Sequence, residues 1–200
     1  MAYRQMTTRS YDISVDKHVD DISSLNVVLV ADLHLGYSIG CSDMGKMVDR
    51  INALNPDVVI YAGDIFDNDY DALDDPERLV EIMRNVSAAY GSYAVFGNHD
   101  VTETLVGGFS TASSTKAFRD PRMEAFLRQA GINIMLDDVT TIADGKINLI
   151  GRLDGEKAGD GTRNRKDLSE LVKQCDMSKP VIVINHEPDK LHETAAMGVD

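Results

Sequence analysis

Tryptophan is absent and aromatics make up only 6% of the 200 residues, so a base-stacking surface or a membrane aromatic belt has little to be built from. No apolar run approaches the roughly 18 to 20 residues needed to span a bilayer. Cysteine is scarce too: Cys41 and Cys175 stand alone, too few for a disulfide framework and too far apart for a Cys-x-x-Cys metal or redox motif. Positive charge is in deficit, with 20 Lys and Arg against 33 Asp and Glu, a net charge of −13 and a pI near 4.7. That balance opposes attraction to phosphate backbones and anionic lipid, so a nucleic-acid partner is not expected. The first five residues, Met1-Ala2-Tyr3-Arg4-Gln5, carry no apolar signal core. The expectation for the chain as given is a soluble monomer, any membrane association depending on a segment outside it.

What is present is enough apolar material, 43%, for one core, and neither an internal repeat nor a linker divides residues 1–200. Short Val- and Ile-rich runs alternate with stretches of helical spacing, the pattern of β-α-β units around a buried sheet. Strands are predicted from Val27 to Ala31, Val58 to Ala62, Ser92 to Phe96, Ile132 to Leu136, Val139 to Ala143, Ile147 to Ile150 and Val181 to Ile184. Met44, Met47, Val48, Ile51 and Leu54 mark one helix, their methionines read as core packing, with Pro56 stopping it. Pro76 and Pro121 each open a helix after Asp. Further helices are predicted from Lys166 to Cys175 and Asp189 to Met197, and Asp144-Gly145 signals a hairpin. Two loops rich in Gly and polar residues, from Gly107 to Lys116 and from Gly151 to Arg165, are candidate edges of a site. The class is α/β.

The chemistry sits where strands end. Asp32 and His34 follow the first, Gly63 and Asp64 the second, Gly97, Asn98, His99 and Asp100 the third, and Asn185 and His186 the last. C-terminal strand ends of an α/β sheet converge on one crevice. The nitrogen and oxygen donors gathered there suit divalent manganese, iron or zinc and lack the thiolates of a structural zinc site. In an extended Asp-x-His, Asp32 and His34 would face the same side and grip one ion. The two oxygens of Asp64 could bridge two ions, Asn98 offers a neutral carbonyl, and Gly63 and Gly97 would let the backbone turn close to a metal.

These residues, in this order, resemble the calcineurin-like metallophosphoesterase superfamily, and Asp32-Leu33-His34-Leu35-Gly36, Gly97-Asn98-His99-Asp100 and Asn185-His186-Glu187-Pro188 look most like its bacterial branch with an N-terminal membrane segment or export signal. One such motif is weak; four in order, each at a strand end, are specific. The resemblance covers roughly residues 12 to 200. It implies an α/β/β/α sandwich with mixed sheets and two divalent metal ions, one held by Asp32, His34 and Asp64, the other by Asp64, Asn98 and His186. It implies hydrolysis of a phosphoester, a diester in preference to a monoester, by a metal-activated water. His99 would stabilise the transition state or protonate the leaving group, with Asp100 orienting its ring. The family's Gly-His-x-His motif would lie past Asp200, so the chain is expected to be C-terminally truncated. A small-molecule or lipid-linked phosphoester is the expected substrate. A non-catalytic scaffold that keeps the fold and binds proteins is the rival, against which every available ligand position is filled.

Arg152, after the strand ending at Ile150, is a candidate phosphate contact whose alternative is a surface ion pair. Asp67, Asp69 and Asp71 mimic the start of a calcium loop, but Ala72 and Arg78 stand where Gly and Glu belong; a solvated acidic loop is expected. His18 and His192 read as surface residues and Cys41 as a plain thiol.

Overall fold

The computed structural model describes residues 6–36, 39–102, 105–106, 109–110, 117–161 and 164–200. Two sheets organise it. The first holds β1 (Val27–Val30), β2 (Val58–Ala62), β3 (Ser92–Val95) and β6 (Ile132–Ile134), all parallel and in that order. The second is mixed: β8 (Ile147–Gly151) pairs antiparallel with β7 (Asp138–Ile142) and parallel with β9 (Val181–Ile184). A short antiparallel pair, β4 (Leu105–Val106) and β5 (Phe109–Ser110), follows the third strand end.

Alternation along the strands dictates the layering. Val59 and Tyr61 of β2 face α1 (Cys41–Ala53), α2 (Pro76–Met83) and α3 (Pro121–Gln129), whose Met44, Val48, Leu79, Met83, Phe126 and Leu127 complete one core. Val58, Ile60 and Ala62 point the other way and meet Ile142, Ile147, Leu149 and Ile184 of the second sheet. Behind that sheet, Ile150 and Val181 pack on Leu171 and Val172 of α4 (Leu168–Val172). The order is helices, sheet, sheet, helix: the α/β/β/α sandwich. Close approach of the two sheets depends on Gly151, where a Cβ would stand 2.1 Å from Met135 Cβ.

The helix starts follow the sequence. Asp75, Asp120 and Asp167 each accept a hydrogen bond from a backbone N–H of the first turn, and Pro76 and Pro121 occupy positions whose N–H would have no partner. The last two helices are shorter than predicted, Leu168–Val172 and Leu191–Ala196 (α5). Met44 is fully buried, as core packing requires. Of the polar loop predicted at 107–116, only the backbone of residues 109–110 lies among the described residues. Among the described residues no helix is long and apolar enough to cross a membrane.

Candidate metal centre

The site forms where the chain leaves the first sheet. Asp32 and His34 do not continue β1 as an extended pair; both take left-handed backbone, at φ 56° and 46°. The chain must turn here over the C-terminal edge of the sheet, and Asp and His are among the residues that tolerate that region. Hydrogen bonds from the amides of Asp32, His34 and Leu35 to the carbonyls of Gly63, Asp64 and Ile65 lay the loop after β1 along the loop after β2.

The loop after β3 is fastened reciprocally. Asp64 Oδ1 accepts from the amide of His99 at 2.9 Å, and the Asn68 amide donates to the His99 carbonyl at 2.9 Å. Asp100 is fully buried, with Oδ1 on the Phe66 amide and Oδ2 on the Gly97 amide, both at 2.7 Å. Burial pushes its carboxyl up to about 7, against the pull of those two N–H groups. The carboxylate predicted to orient the His99 ring is therefore spent on the backbone of two loops. It ties the loop after β2, at Phe66, to the loop after β3, at Gly97.

Asp64 is the hub. Its Oδ2 stands 3.3 Å from His186 Nε2 and 3.8 Å from His34 Nε2, and donor atoms of Asp32, Asp64 and His186 lie within 4.8 Å of one another. Nε2 of His186 is also 3.2 Å from Asn98 Oδ1, while its Nδ1 is 2.8 Å from the Ala62 carbonyl. A carbonyl only accepts, so Nδ1 carries the hydrogen and the Nε2 lone pair is directed at two oxygens. Only a proton or a cation reconciles three such acceptors. The contact with Asp64 accordingly raises the His186 pKa to about 9, although burial works against it. For Asp64, burial raises the pKa, but His186 and the His99 amide together hold it below the usual carboxylate range. The donor set thus fits divalent cations.

Glycine makes this packing possible. A Cβ on Gly97 would fall 2.2 Å from Asp64 Oδ1 and 2.7 Å from His186 Cδ2, and one on Gly63 would fall 2.5 Å from His186 Nδ1.

A second group joins the first through His34. Its Nδ1 stands 3.4 Å from Asp67 Oδ1, which is 3.8 Å from His99 Nδ1, and the three side chains can place donor atoms within 4.8 Å. Asp67, expected in a solvated acidic loop, faces the site instead, because the turn after Asp64 brings it over the strand edge. Asn68, equally unheralded, is 3% exposed, and its Nδ2 lies 2.8 Å from His99 Nδ1. The other two acids behave as a loop: Asp69 caps a short 3-10 turn and Asp71 pairs with Arg122.

Arg152 does not lie in a surface ion pair. It is buried, with Nε 3.2 Å from Asp137 Oδ1 and Nη2 2.7 Å from the Lys166 carbonyl. Asp137 also accepts from the amides of Leu153 and Lys166, so the pair closes the base of the loop after β8. His18 and His192 are exposed, and Cys41 packs near Asp74, away from the site.

The family model of the calcineurin-like phosphoesterases matches residues 25–198. A transmembrane protein with metallophosphoesterase domain from Danio rerio is 30% identical over 188 residues, covering 88% of this chain and 38% of the fish protein. The UDP-2,3-diacylglucosamine pyrophosphatase LpxG of Chlamydia trachomatis is 24% identical, over 90% of this chain and 62% of its own length. The metallophosphoesterase YkuE of Bacillus subtilis is 26% identical, over 84% and 52%. The chain thus spans between 38% and 62% of these relatives.

Proposed function

The chain belongs to the calcineurin-like phosphoesterase family, and from that premise we propose that it is a hydrolase of phosphoesters, diesters in preference to monoesters, working with two divalent cations. Asp32, His34 and Asp64 would hold one, and Asp64, Asn98 and His186 the other. The observation that carries this is the convergence of His34 Nε2 and His186 Nε2 on one oxygen of Asp64, with Asn98 Oδ1 on the same His186 nitrogen.

When bound, such cations lower the pKa of a water and neutralise charge on the phosphoryl oxygens. The protein's part is to orient. The Ala62 carbonyl turns the lone pair of His186 Nε2 towards Asp64, as partners of ligand imidazoles do. Asp67 stands in the same relation to His34. His99 belongs to neither ligand set; its ring is packed edge-on against His34 at 5.1 Å and is 41% exposed. From there it can meet the leaving oxygen and give it a proton.

The substrate is proposed to be a small-molecule or lipid-linked phosphoester, in keeping with the name of the chlamydial relative. A cleft of about 400 Å³ past β6 and β8 is lined by Leu136, Leu153 and Ala158 together with the charged Arg119, Glu124 and Asp160. The relative called a transmembrane protein supports membrane association of a longer form. Manganese, iron and zinc are the candidate ions.

The test is hydrolysis of bis(4-nitrophenyl) phosphate with each of the three metals, alongside metal content. Turnover that requires metal and falls at least 100-fold in Asp64→Asn supports the proposal. Two bound metals without turnover of any diester or monoester would refute the hydrolase, and no metal uptake would favour the scaffold.

A further inference from the structure

The loop after β3 is tied to the loop after β8. Three residues beyond His99, Thr102 pairs antiparallel with Phe118, and on its other edge Phe118 pairs with Asp160. The amide of Thr102 donates to the Phe118 carbonyl at 2.8 Å, that of Arg119 to the Gly159 carbonyl at 2.7 Å and that of Gly161 to the Ala117 carbonyl at 3.2 Å. Residues 117–119 are therefore a strap laid between two loops at the metal end of the sandwich. Successive side chains of such a segment point opposite ways. Arg119 points inward: its side chain is 6% exposed, Cζ lies 3.7 Å from the centroid of the Phe96 ring, and Nη2 donates to the Ala158 carbonyl at 3.0 Å. Phe118 points outward and keeps 59% of its surface exposed.

The Phe118 ring has a seat. Gly161 takes left-handed backbone at φ 77°, and a Cβ there would stand 2.4 Å from Phe118 Cζ and 2.7 Å from Cε1, so glycine is what leaves room for the ring tip. Three residues of chain span at most about 11 Å and paired strands lie about 5 Å apart, which puts the Phe118 backbone within roughly 16 Å of His99. A large apolar ring ordered this firmly yet left mostly open to solvent gains little from burial within the chain itself. We propose that Phe118 is a specificity-determining residue that receives the apolar part of a phosphoester, a ring or an acyl chain, while the phosphoryl group lies at the metal centre. Given the hydrolase function proposed above, on which this rests, the substrate carries an apolar ester group long enough to reach the strap.

Selectivity for the ester group that stays on phosphorus reads this directly. Methyl, 4-phenylbutyl and octyl 4-nitrophenyl phosphate share a leaving group and differ only in that retained group; each is assayed with manganese. In Phe118→Ser the rise in KM should be at least fivefold larger for the phenylbutyl or the octyl ester than for the methyl ester, with metal content unchanged, and Phe118→Tyr, which keeps a ring, should restore the preference. Loss confined to the phenylbutyl ester marks a ring as the partner, and loss that includes the octyl ester marks an acyl chain. Gly161→Ala keeps the ring but removes its seat, and should lose the same preference. Equal KM changes on all three esters, or a Phe118→Ser enzyme with the wild-type preference, overturn the proposal.

Binding without turnover separates Phe118 from the hydrolase function. Calorimetric titration of the manganese-loaded chain with methyl-, 4-phenylbutyl- and octylphosphonate, which have no ester to cleave, should show a preference for the larger compounds that falls at least fivefold in Phe118→Ser. If that preference is present and is lost in the variant while no ester is hydrolysed, the contact at Phe118 holds and the hydrolase function fails. If the wild-type chain hydrolyses esters yet binds the three phosphonates alike, the hydrolase stands and the assignment of Phe118 fails.

Discussion

Replacing Gly97 by Ala adds one methyl group at the most crowded point of the site. Its Cβ would lie 2.2 Å from Asp64 Oδ1, 2.6 Å from the Asp64 backbone nitrogen and 2.7 Å from His186 Cδ2. Bringing that backbone nitrogen back to ordinary contact at 3.4 Å moves it by about 0.8 Å. The atom cannot swing aside, because the Asp64 carbonyl and Oδ1 are both engaged, by the amides of His34 and His99. A displacement near 1 Å at reacting groups costs roughly 100-fold in rate, or about 2.7 kcal/mol of transition-state stabilisation. The assay is kcat/KM on a diester together with metal content. Gly45→Ala serves as control: it lies in α1 with nothing within 4 Å of its Cβ, so activity should be unchanged and stability should rise by about 0.5–1 kcal/mol. A Gly97→Ala enzyme with both metals and a rate within twofold of wild type would refute the packing argument.

Arg152→Ala should cost about 3–5 kcal/mol in denaturant unfolding, since it leaves Asp137 charged and buried without its partner, with KM unchanged; a raised KM at unaltered stability would return Arg152 to the substrate. Gly151→Ala should destabilise by about 1–3 kcal/mol, because the new methyl overlaps Met135 between the two sheets. Calorimetry showing no loss would mean that the sheets can move apart freely.

Much of this was legible in the chain. The strands at Val58–Ala62 and Val181–Ile184 have the bounds their apolar runs suggest, because a strand buried on both faces is apolar at every position. The five residues expected at a metal are brought together because each follows a strand, three in the first sheet and one in the second, and these strand ends meet at the same end of the sandwich. Less legible was everything decided by a turn. The left-handed conformations at Asp32 and His34 leave no trace in alternation. Asp67 and Asn68 lie in a run of acids and amides whose composition suits solvent, and only the path of the chain after Asp64 turns them inward. Asp100 was assigned to the His99 ring by resemblance and Arg152 to a phosphate by its place after a strand, and neither basis reveals the backbone amides on Asp100 or the buried Asp137 beside Arg152. Whether a charged group serves chemistry or scaffold depends on which amide or carboxylate lies opposite, and that is a tertiary fact.

The central claim is that Asp64 is shared by two cations, and anomalous diffraction from crystals soaked in manganese tests it most directly. The account predicts two peaks flanking the Asp64 carboxylate, one beside Asp32 and His34 and the other beside Asn98 and His186. A single peak enclosed by His34, Asp67 and His99, or no peak at saturating manganese, would contradict it.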